Sequence, residues 1–145
     1  MNSDFSVAVH ALVYLNHKDC VLSSDELAKN VCTNPARVRK VLARLKGAGL
    51  VATHEGNTGG YQLAVDGKSL NLKQIAQAMD ARFVSSSWQS GDLEKECLIC
   101  SGMGQYMEDL WEEMNQLCLS KLEAITVEEI EEQLLARKEK SHEEL

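Results

Sequence analysis

Two helix-start signals stand close together near the beginning of this chain, and they restrict what its first half can fold into. Ser23 is followed three positions later by Glu26, which is a capping-box pattern. Asn34 precedes Pro35, and an Asn cap with Pro at the first helical position marks a second start. The two signals predict a helix of about two turns, a tight turn, and then a longer helix.

The segment after Pro35 combines helical periodicity with the signals of a β-hairpin. Its apolar spacing predicts a helix over 35–48, which ends near a pair of glycines. Residues 50–53 and 61–65 are typical of strands, and the Gly-rich stretch 55–60 between them supplies turn chemistry. Helix, turn, helix and hairpin in this order form a winged helix-turn-helix. The apolar positions expected to face the core are Val38, Val41, Leu42 and Leu45.

The remainder of the chain adds helices and one irregular stretch. Residues 5–16 are apolar nearly all round and predict a buried helix, whereas 71–80 predict a short amphipathic helix. The Ser-rich stretch 84–96 is an expected loop. Thr126 is expected to cap an acidic helix that frays into a charged tail. A single proline in the whole chain also favours long helices.

The net charge of −7 hides an asymmetry between the two halves. Residues 1–65 carry seven Lys/Arg against five Asp/Glu, whereas residues 66–145 carry eight against seventeen. The acidic average therefore does not exclude a nucleic-acid partner for the first half. Neither a signal peptide nor a membrane span is expected, and the cysteines are too few for a disulfide framework. We expect a cytoplasmic protein with free thiols and no membrane partner.

In the predicted helix over 35–48, the positions that do not face the core carry basic residues. No acid occurs from 35 to 49, and Arg37 and Arg39 near the helix start are best placed for base edges. The hairpin tip offers small polar donors and glycines that permit close approach to a phosphate backbone. The alternative for the helix is a basic face that is only solvated, and the alternative for the hairpin is that its glycines only make the turn. His54 is expected to be exposed or to contact a phosphate. The set expected to contact double-stranded DNA is Ser24, Asn34, Arg37, Arg39, Lys40, Arg44, Asn57, Thr58, Gly59, Gly60 and Tyr61.

Four stretches carry a resemblance to a known family: 8–15 (AVHALVYL), 25–28 (DELA), 38–51 (VRKVLARLKGAGLV) and 59–64 (GGYQLA). Together they are similar to the Rrf2 family of bacterial winged-helix transcription regulators, and the resemblance extends over roughly residues 5–120. It implies a homodimer that binds an inverted-repeat operator. The elements it implies are a recognition helix over 34–46, a wing over 53–61 and a dimer helix over about 101–122.

A heptad-like apolar stripe lies in the predicted dimer helix, where apolar residues recur at steps of four and three. Because the second half of the chain offers few other apolar elements, this stripe is expected to need a partner helix. The residues expected at the dimer interface are Met103, Met107, Leu110, Trp111, Met114 and Leu117.

Cys97 and Cys100 form a C-x-x-C pair in the predicted loop. Many members of the family that the chain resembles bind an iron–sulfur cluster through three loop cysteines, whereas this loop holds two. The next cysteine, Cys118, lies inside the predicted dimer helix. The pair has three interpretations: a dithiol–disulfide sensor, part of a metal or cluster site completed by a second copy, or no sensory role. Glu94 and Glu96 are expected to raise the pKa of Cys97.

The other three cysteines carry weaker signals. Cys118 and Cys32 are expected to act as small buried hydrophobes. Cys20, between the first two helices, has no evident partner. No cofactor is therefore firmly predicted, since the usual three-cysteine spacing of an iron–sulfur site is absent.

The sequence predicts a DNA-binding transcription regulator, specifically a homodimeric repressor, and the sensing of redox or thiol-reactive signals through Cys97 and Cys100 is one of the three interpretations of that pair. No nucleophile with a base, phosphate loop or metal-hydrolase helix occurs, so an enzyme is not expected. Two alternatives stay open: a redox or iron–sulfur protein in which cysteine chemistry is primary, and a winged-helix interaction module without DNA binding. The expected fold class is mainly α. The expected division is a DNA-binding domain over 1–80, a cysteine-bearing loop over 81–100, and a dimerisation helix with an acidic helix and tail over 101–145.

Overall fold

The computed structural model describes residues 2–143, which form six α-helices and one antiparallel hairpin. The predicted mainly α, winged-helix fold class is confirmed. None of the helices in the described range has the length and apolar character that crossing a membrane requires. The elements are α1 (Asn2–Lys18), α2 (Ser24–Val31), α3 (Pro35–Gly47), β1 (Val51–His54), β2 (Gly60–Leu63), α4 (Leu72–Ala78), α5 (Leu98–Glu123) and α6 (Val127–Glu143).

Both predicted helix starts are confirmed by their capping hydrogen bonds. The Glu26 amide donates to Ser23 Oγ at 3.1 Å, and the Ser23 amide donates to the Glu26 carboxylate at 2.9 Å. The Arg37 amide donates to Asn34 Oδ1 at 2.8 Å, with Pro35 in the first helical position. These bonds satisfy amides that have no partner inside the helix, so α2 and α3 begin where the short polar side chains stand.

The hairpin is fastened to the start of α2 by a backbone bridge. Leu22 and Tyr61 exchange two hydrogen bonds, with N–O distances of 2.9 and 2.8 Å, so residue 22 acts as a third short strand. A Cβ atom on Gly60 would lie 2.2 Å from the Leu22 carbonyl oxygen, and one on Gly59 would lie 2.3 Å from that of His54. The fold itself therefore requires glycine at both positions.

The core joins α1, α2, α3, α4 and the beginning of α6. Its apolar residues include the four predicted positions of α3, all buried, together with Leu12, Leu27 and Ile75. Val127 at the start of α6 is fully buried and its amide donates to Leu70 at 2.9 Å. The Glu129 amide donates to Thr126 Oγ1 at 3.2 Å, which confirms the predicted cap.

The acidic C-terminal helix contributes to the core of the first half. α6 packs along α1, because its apolar positions complete that core. The helix extends to Glu143, and the fraying into a charged tail stays a prediction. Residues 144 and 145 of the expected tail lie outside the described residues.

The linker between α4 and α5 is irregular, as predicted, but it is held in place by one buried polar side chain. Asn115 of α5 accepts hydrogen bonds from the amides of Phe83 and Val84 at 2.8 and 2.9 Å and donates to the Val84 carbonyl at 2.7 Å. The Phe83 ring meets the Phe5 ring of α1 edge to face, with centroids 5.2 Å apart. α5 begins at Leu98, so Cys100 lies in its first turn and not in the loop.

Candidate nucleic-acid interface

The outward face of α3 is formed by small residues around one lysine. Ala36, Lys40, Ala43 and Gly47 follow the spacing of a single helical face, and all four are exposed. They lie opposite the buried apolar face of the same helix. Small side chains allow the helix backbone to approach the floor of a groove closely, and an alanine methyl can contact a thymine methyl.

Basic side chains flank this small-residue face on both edges. Arg39 and Lys46 are seven positions apart and share one edge, while Arg37 and Arg44 share the other. Arg37 is partly buried and the other three are exposed. A helix in the major groove runs between two phosphate backbones, so cations on both edges suit that placement.

Two of the predicted arginines have intramolecular partners. The Arg37 guanidinium pairs with the Asp4 carboxylate of α1, with Nε and Nη2 both 3.1 Å from Oδ1. Arg39 Nη1 donates to Ser24 Oγ at 3.3 Å, at the first residue of α2. The sequence did not indicate the Asp4 contact, because the two residues belong to different helices. Arg39 is thus the more accessible of the two candidates for base edges.

The tip of the hairpin contains the exposed side chains of Asn57 and Thr58, whereas Gly59, Gly60 and Tyr61 are partly buried. Tyr61 also packs against the core. Lys46 Nζ donates to Thr53 Oγ1 at 2.9 Å and links α3 to β1. The two glycines are explained by the turn and the Leu22 bridge, so Asn57 and Thr58 remain the candidates for phosphate contact.

Along α5, an apolar face lies exposed in the described chain. Leu117 is 71% exposed and Tyr106 is 66% exposed, and Met103 and Met114 are also exposed. Ile99, which the sequence prediction omitted, continues the same face toward the helix start at 73% exposure. The remaining predicted interface residues are partly buried: Met107, Leu110 and Trp111.

The comparison with known families decides what kind of protein carries this arrangement. The family model described as "Rrf2: Iron-dependent Transcriptional regulator" matches residues 1–133. The chain belongs to the Rrf2 family. As an Rrf2-family member of the winged-helix type it is a transcriptional regulator and not an enzyme, and the resemblance that its sequence motifs indicated is confirmed.

Individual relatives agree with this assignment. A Mycobacterium tuberculosis protein described as an HTH-type transcriptional regulator is 26% identical over 132 residues, which cover 90% of this chain and 80% of the relative. A crystal structure of a transcriptional regulator from Lactobacillus plantarum is 25% identical with a TM-score of 0.77, covering 97% of this chain and 99% of that one. CymR, the global cysteine regulator of Bacillus subtilis, shares the fold at 16% identity with a TM-score of 0.66, covering 92% and 96%.

The "iron-dependent" description of the Rrf2 family raises the question of a metal or cluster site. Among the described residues, no three Cys, His, Asp or Glu side chains are grouped so that they could hold a metal ion. Cys97 and Cys100 supply two thiols. Cys118 lies about 27 Å from Cys100 along the axis of α5. The described residues of one chain therefore do not fit an iron–sulfur cluster, which needs four ligands.

Two of the other cysteine predictions are corrected by the structure. Cys32 is exposed and does not pack in the core. It is the C-cap residue of α2, where the backbone is left-handed at φ 65° and turns the side chain outward. Cys118 is only partly buried. Cys20 is exposed, and all five cysteines are free thiols.

Cys97 and Cys100 lie in different environments. Cys97 is exposed at the N-cap of α5, and Cys100 is partly buried in the first turn. The backbone amide of Cys100, and to a smaller extent that of Ile99, lowers the pKa of the Cys97 thiol. The thiol does not form a regular capping hydrogen bond to the helix. The expectation that Glu94 and Glu96 raise this pKa is wrong, since both carboxylates are exposed and screened by solvent while the helix amides stabilise the thiolate.

We expect the rate of Cys97 alkylation by iodoacetamide to report an apparent pKa below the value of about 8.5 for a free cysteine. Because the thiolate is the stabilised form, the labelling rate of Cys97 falls off at a lower pH than that of a thiol with an unshifted pKa. The measurement is a pH series of labelling rates, resolved by mass spectrometry of the peptide that contains Cys97.

Two variants control this experiment. Cys100→Ser keeps the backbone amides and is expected to retain the low apparent pKa, and Glu94→Gln with Glu96→Gln is expected to leave the profile unchanged. An apparent pKa at or above about 8.5 in the unmodified chain would contradict the assignment.

Proposed function

We propose that this Rrf2-family regulator binds an inverted-repeat operator as a homodimer and acts as a repressor in the cytoplasm. The observation that carries this proposal is the exposed face of α3, which is small in the middle and basic on both edges. Such a face fits a major groove and offers nothing for catalysis. The hairpin tip, with Asn57 and Thr58, reaches the adjacent phosphates or the minor groove.

In this proposal different residues of α3 and its neighbours make the contacts with the bases and with the phosphates. Arg39 makes the base-edge contact, because its guanidinium can bind guanine bidentately and it is exposed. Ala36 and Ala43 set how close the helix can come to the bases, Lys40 lies between them on the side that faces the groove floor, and Arg44 on the edge contacts phosphates. Ser24 and Asn34 lie at the starts of α2 and α3, where backbone amides also favour phosphate.

The homodimer is supported by the exposed apolar face of α5. Leu110, Met114 and Leu117 continue a heptad spacing that a second copy of the helix can cover. Two copies also compensate for the weak charge of one DNA-binding half, since each copy adds its own basic helix to the contact. The acidic second half of the chain, with seventeen acids against eight bases, then faces away from the phosphates.

Thiol chemistry is the regulatory signal that the α5 start supports best. In this proposal the Cys97 thiolate attacks hydrogen peroxide and breaks its O–O bond, so that Cys97 becomes a sulfenic acid and the leaving hydroxide takes up a proton and departs as water. Cys100 then displaces a second water to form the disulfide, so the peroxide takes up the two electrons. The low pKa of Cys97 and the partly buried partner one turn along the helix favour this order of attack.

A salt titration tests the DNA-binding proposal. Operator sites are selected from a random duplex pool, and binding is measured by fluorescence anisotropy from low to high salt. We expect log K to fall linearly with log salt, with a slope steeper than about −5 for the neutralisation of six or more phosphates by two copies. A slope near zero, or selection of no sequence, would favour an interaction module that uses the winged-helix fold without DNA.

A further inference from the structure

A cavity of about 470 Å³ lies between α1 and α6, behind the DNA-binding helices. Its volume falls in the range typical of small-molecule sites. Aliphatic and aromatic side chains supply most of the wall, and none of them takes part in the interface described above. The main lining residues are Phe5, Val9, Val13, Ile130, Leu134 and Leu135.

The polar groups at the rim of this cavity are engaged with each other. His10 Nε2 lies 2.8 Å from the side-chain oxygen of Asn30. His17 Nδ1 lies 2.9 Å from Glu131, whose carboxylate also accepts from Asn16. A charged ligand would have to replace these pairs, and an anion would also meet the Glu131 carboxylate. The lining therefore suits an uncharged, apolar molecule that uses only the apolar walls.

One wall of the cavity is partly open to solvent. α6 is fixed at its beginning, where Val127 is fully buried and the Glu128 amide donates to the Gly67 carbonyl at 3.2 Å. Further along the same helix, Leu134 and Leu135 are 52% and 44% exposed. The outer part of α6 thus lines the cavity with side chains that also face solvent, which gives a ligand an entry path.

The opposite wall is connected to the recognition helix through α1. Phe5 lines the cavity and packs edge to face on Phe83 of the linker. The preceding residue, Asp4, holds the guanidinium of Arg37. A molecule that displaces the Phe5 ring therefore acts on the first turn of α1, which carries the carboxylate that pairs with α3.

We propose that the α1–α6 cavity binds an uncharged, apolar small molecule, and that this binding is linked to operator binding. The linkage to operator binding rests on the proposed DNA-binding function, whereas the binding of a small molecule in the cavity does not. By linkage, the operator changes the affinity of the cavity ligand by the same factor that the ligand changes the affinity of the operator.

The binding test uses N-phenylnaphthylamine, a neutral fluorescent probe, with naphthalene and naphthoate as competitors. We expect a saturable fluorescence increase at one probe per chain, with naphthalene competing at least about tenfold better than naphthoate. Equal competition by the anion would overturn the assignment of an uncharged ligand, and an absence of saturable binding would overturn the site.

Two variants place the probe in the cavity. Val13→Phe fills it, and Leu134→Glu puts a charge on a half-exposed wall position that the fold tolerates. Each is expected to weaken probe binding by about tenfold or more, whereas Leu93→Glu, the same change at a 77% exposed position in the linker, stays within about twofold. Unchanged affinity in Leu134→Glu, with its helical content intact, would overturn the site even if Val13→Phe fails to fold.

The linkage test repeats the probe titration on protein saturated with operator DNA. We expect the probe affinity to change by at least about threefold, as allosteric coupling of ordinary size produces. Equal affinities with and without operator would overturn the linkage. If no operator is bound at all, the proposed function fails, yet the titration of the free protein still decides whether the cavity is a site.

Discussion

Replacing Arg39 and Lys40 with alanine is expected to weaken operator binding by about 10²- to 10⁴-fold at moderate salt. Both side chains are exposed on α3, so each copy of the chain loses two cations from the face proposed to enter the major groove, while the buried face stays intact. Alanine is a strong helix former, and the circular dichroism spectrum and melting temperature are expected to change little. Fluorescence anisotropy with the selected operator measures the loss.

The matched control removes two cations that lie outside this face. Arg82 and Lys121 are exposed, and Arg82 pairs with Glu112 at 3.5 Å on α5. Alanine at both positions is expected to leave operator affinity within about threefold of the parent, since only long-range charge is altered. Equal losses in the two double variants would show that net charge, and not the face of α3, determines binding, and would overturn the recognition-helix assignment.

Leu117→Glu is expected to convert the proposed homodimer into a monomer at micromolar concentration and to abolish high-affinity binding of the full operator. Leu117 is 71% exposed in the single chain, so a folded monomer gains no buried charge. In the dimer the same carboxylate would be buried without a partner against the facing helix, which costs several kcal/mol. Sedimentation velocity measures the assembly state, and thermal melting confirms that the monomer is folded.

A half-site duplex separates this effect from damage to the DNA-binding domain. The monomeric variant is expected to bind one half-site as weakly as the parent protomer does, because α3 and the hairpin are untouched. Leu93→Glu at a 77% exposed linker position serves as the control and is expected to remain dimeric. A dimer that persists in Leu117→Glu would move the interface away from this face of α5.

The parts of the fold that could be predicted from sequence are those determined by neighbours in the chain. The Ser23–Glu26 box and the Asn34 cap depend on side chains three residues from their partners, so the starts of α2 and α3 were predicted correctly. Asn115 hydrogen-bonds amides more than thirty residues away, and no local pattern marks it. The Arg37 contact with Asp4 was missed for the same reason.

The error about Cys97 has a different physical origin. Its pKa depends on where α5 begins, because only a helix that starts at Leu98 directs the amides of Ile99 and Cys100 toward the sulfur. A start three residues later leaves the carboxylates as the nearest charges, and the direction of the predicted shift is then reversed. Helix ends are set by backbone geometry that sequence periodicity locates only to within a few residues.

The bridge between Leu22 and Tyr61 has an energetic consequence for DNA recognition. A hairpin of two four-residue strands is marginally stable on its own, whereas here it is fixed to the helix pair before any DNA arrives. Little conformational entropy is then lost when the wing and α3 bind together. In the proposed complex the protein therefore offers two contacts at a fixed separation, so the duplex would have to supply the adjustment, and we expect operators to be discriminated partly by how easily they bend.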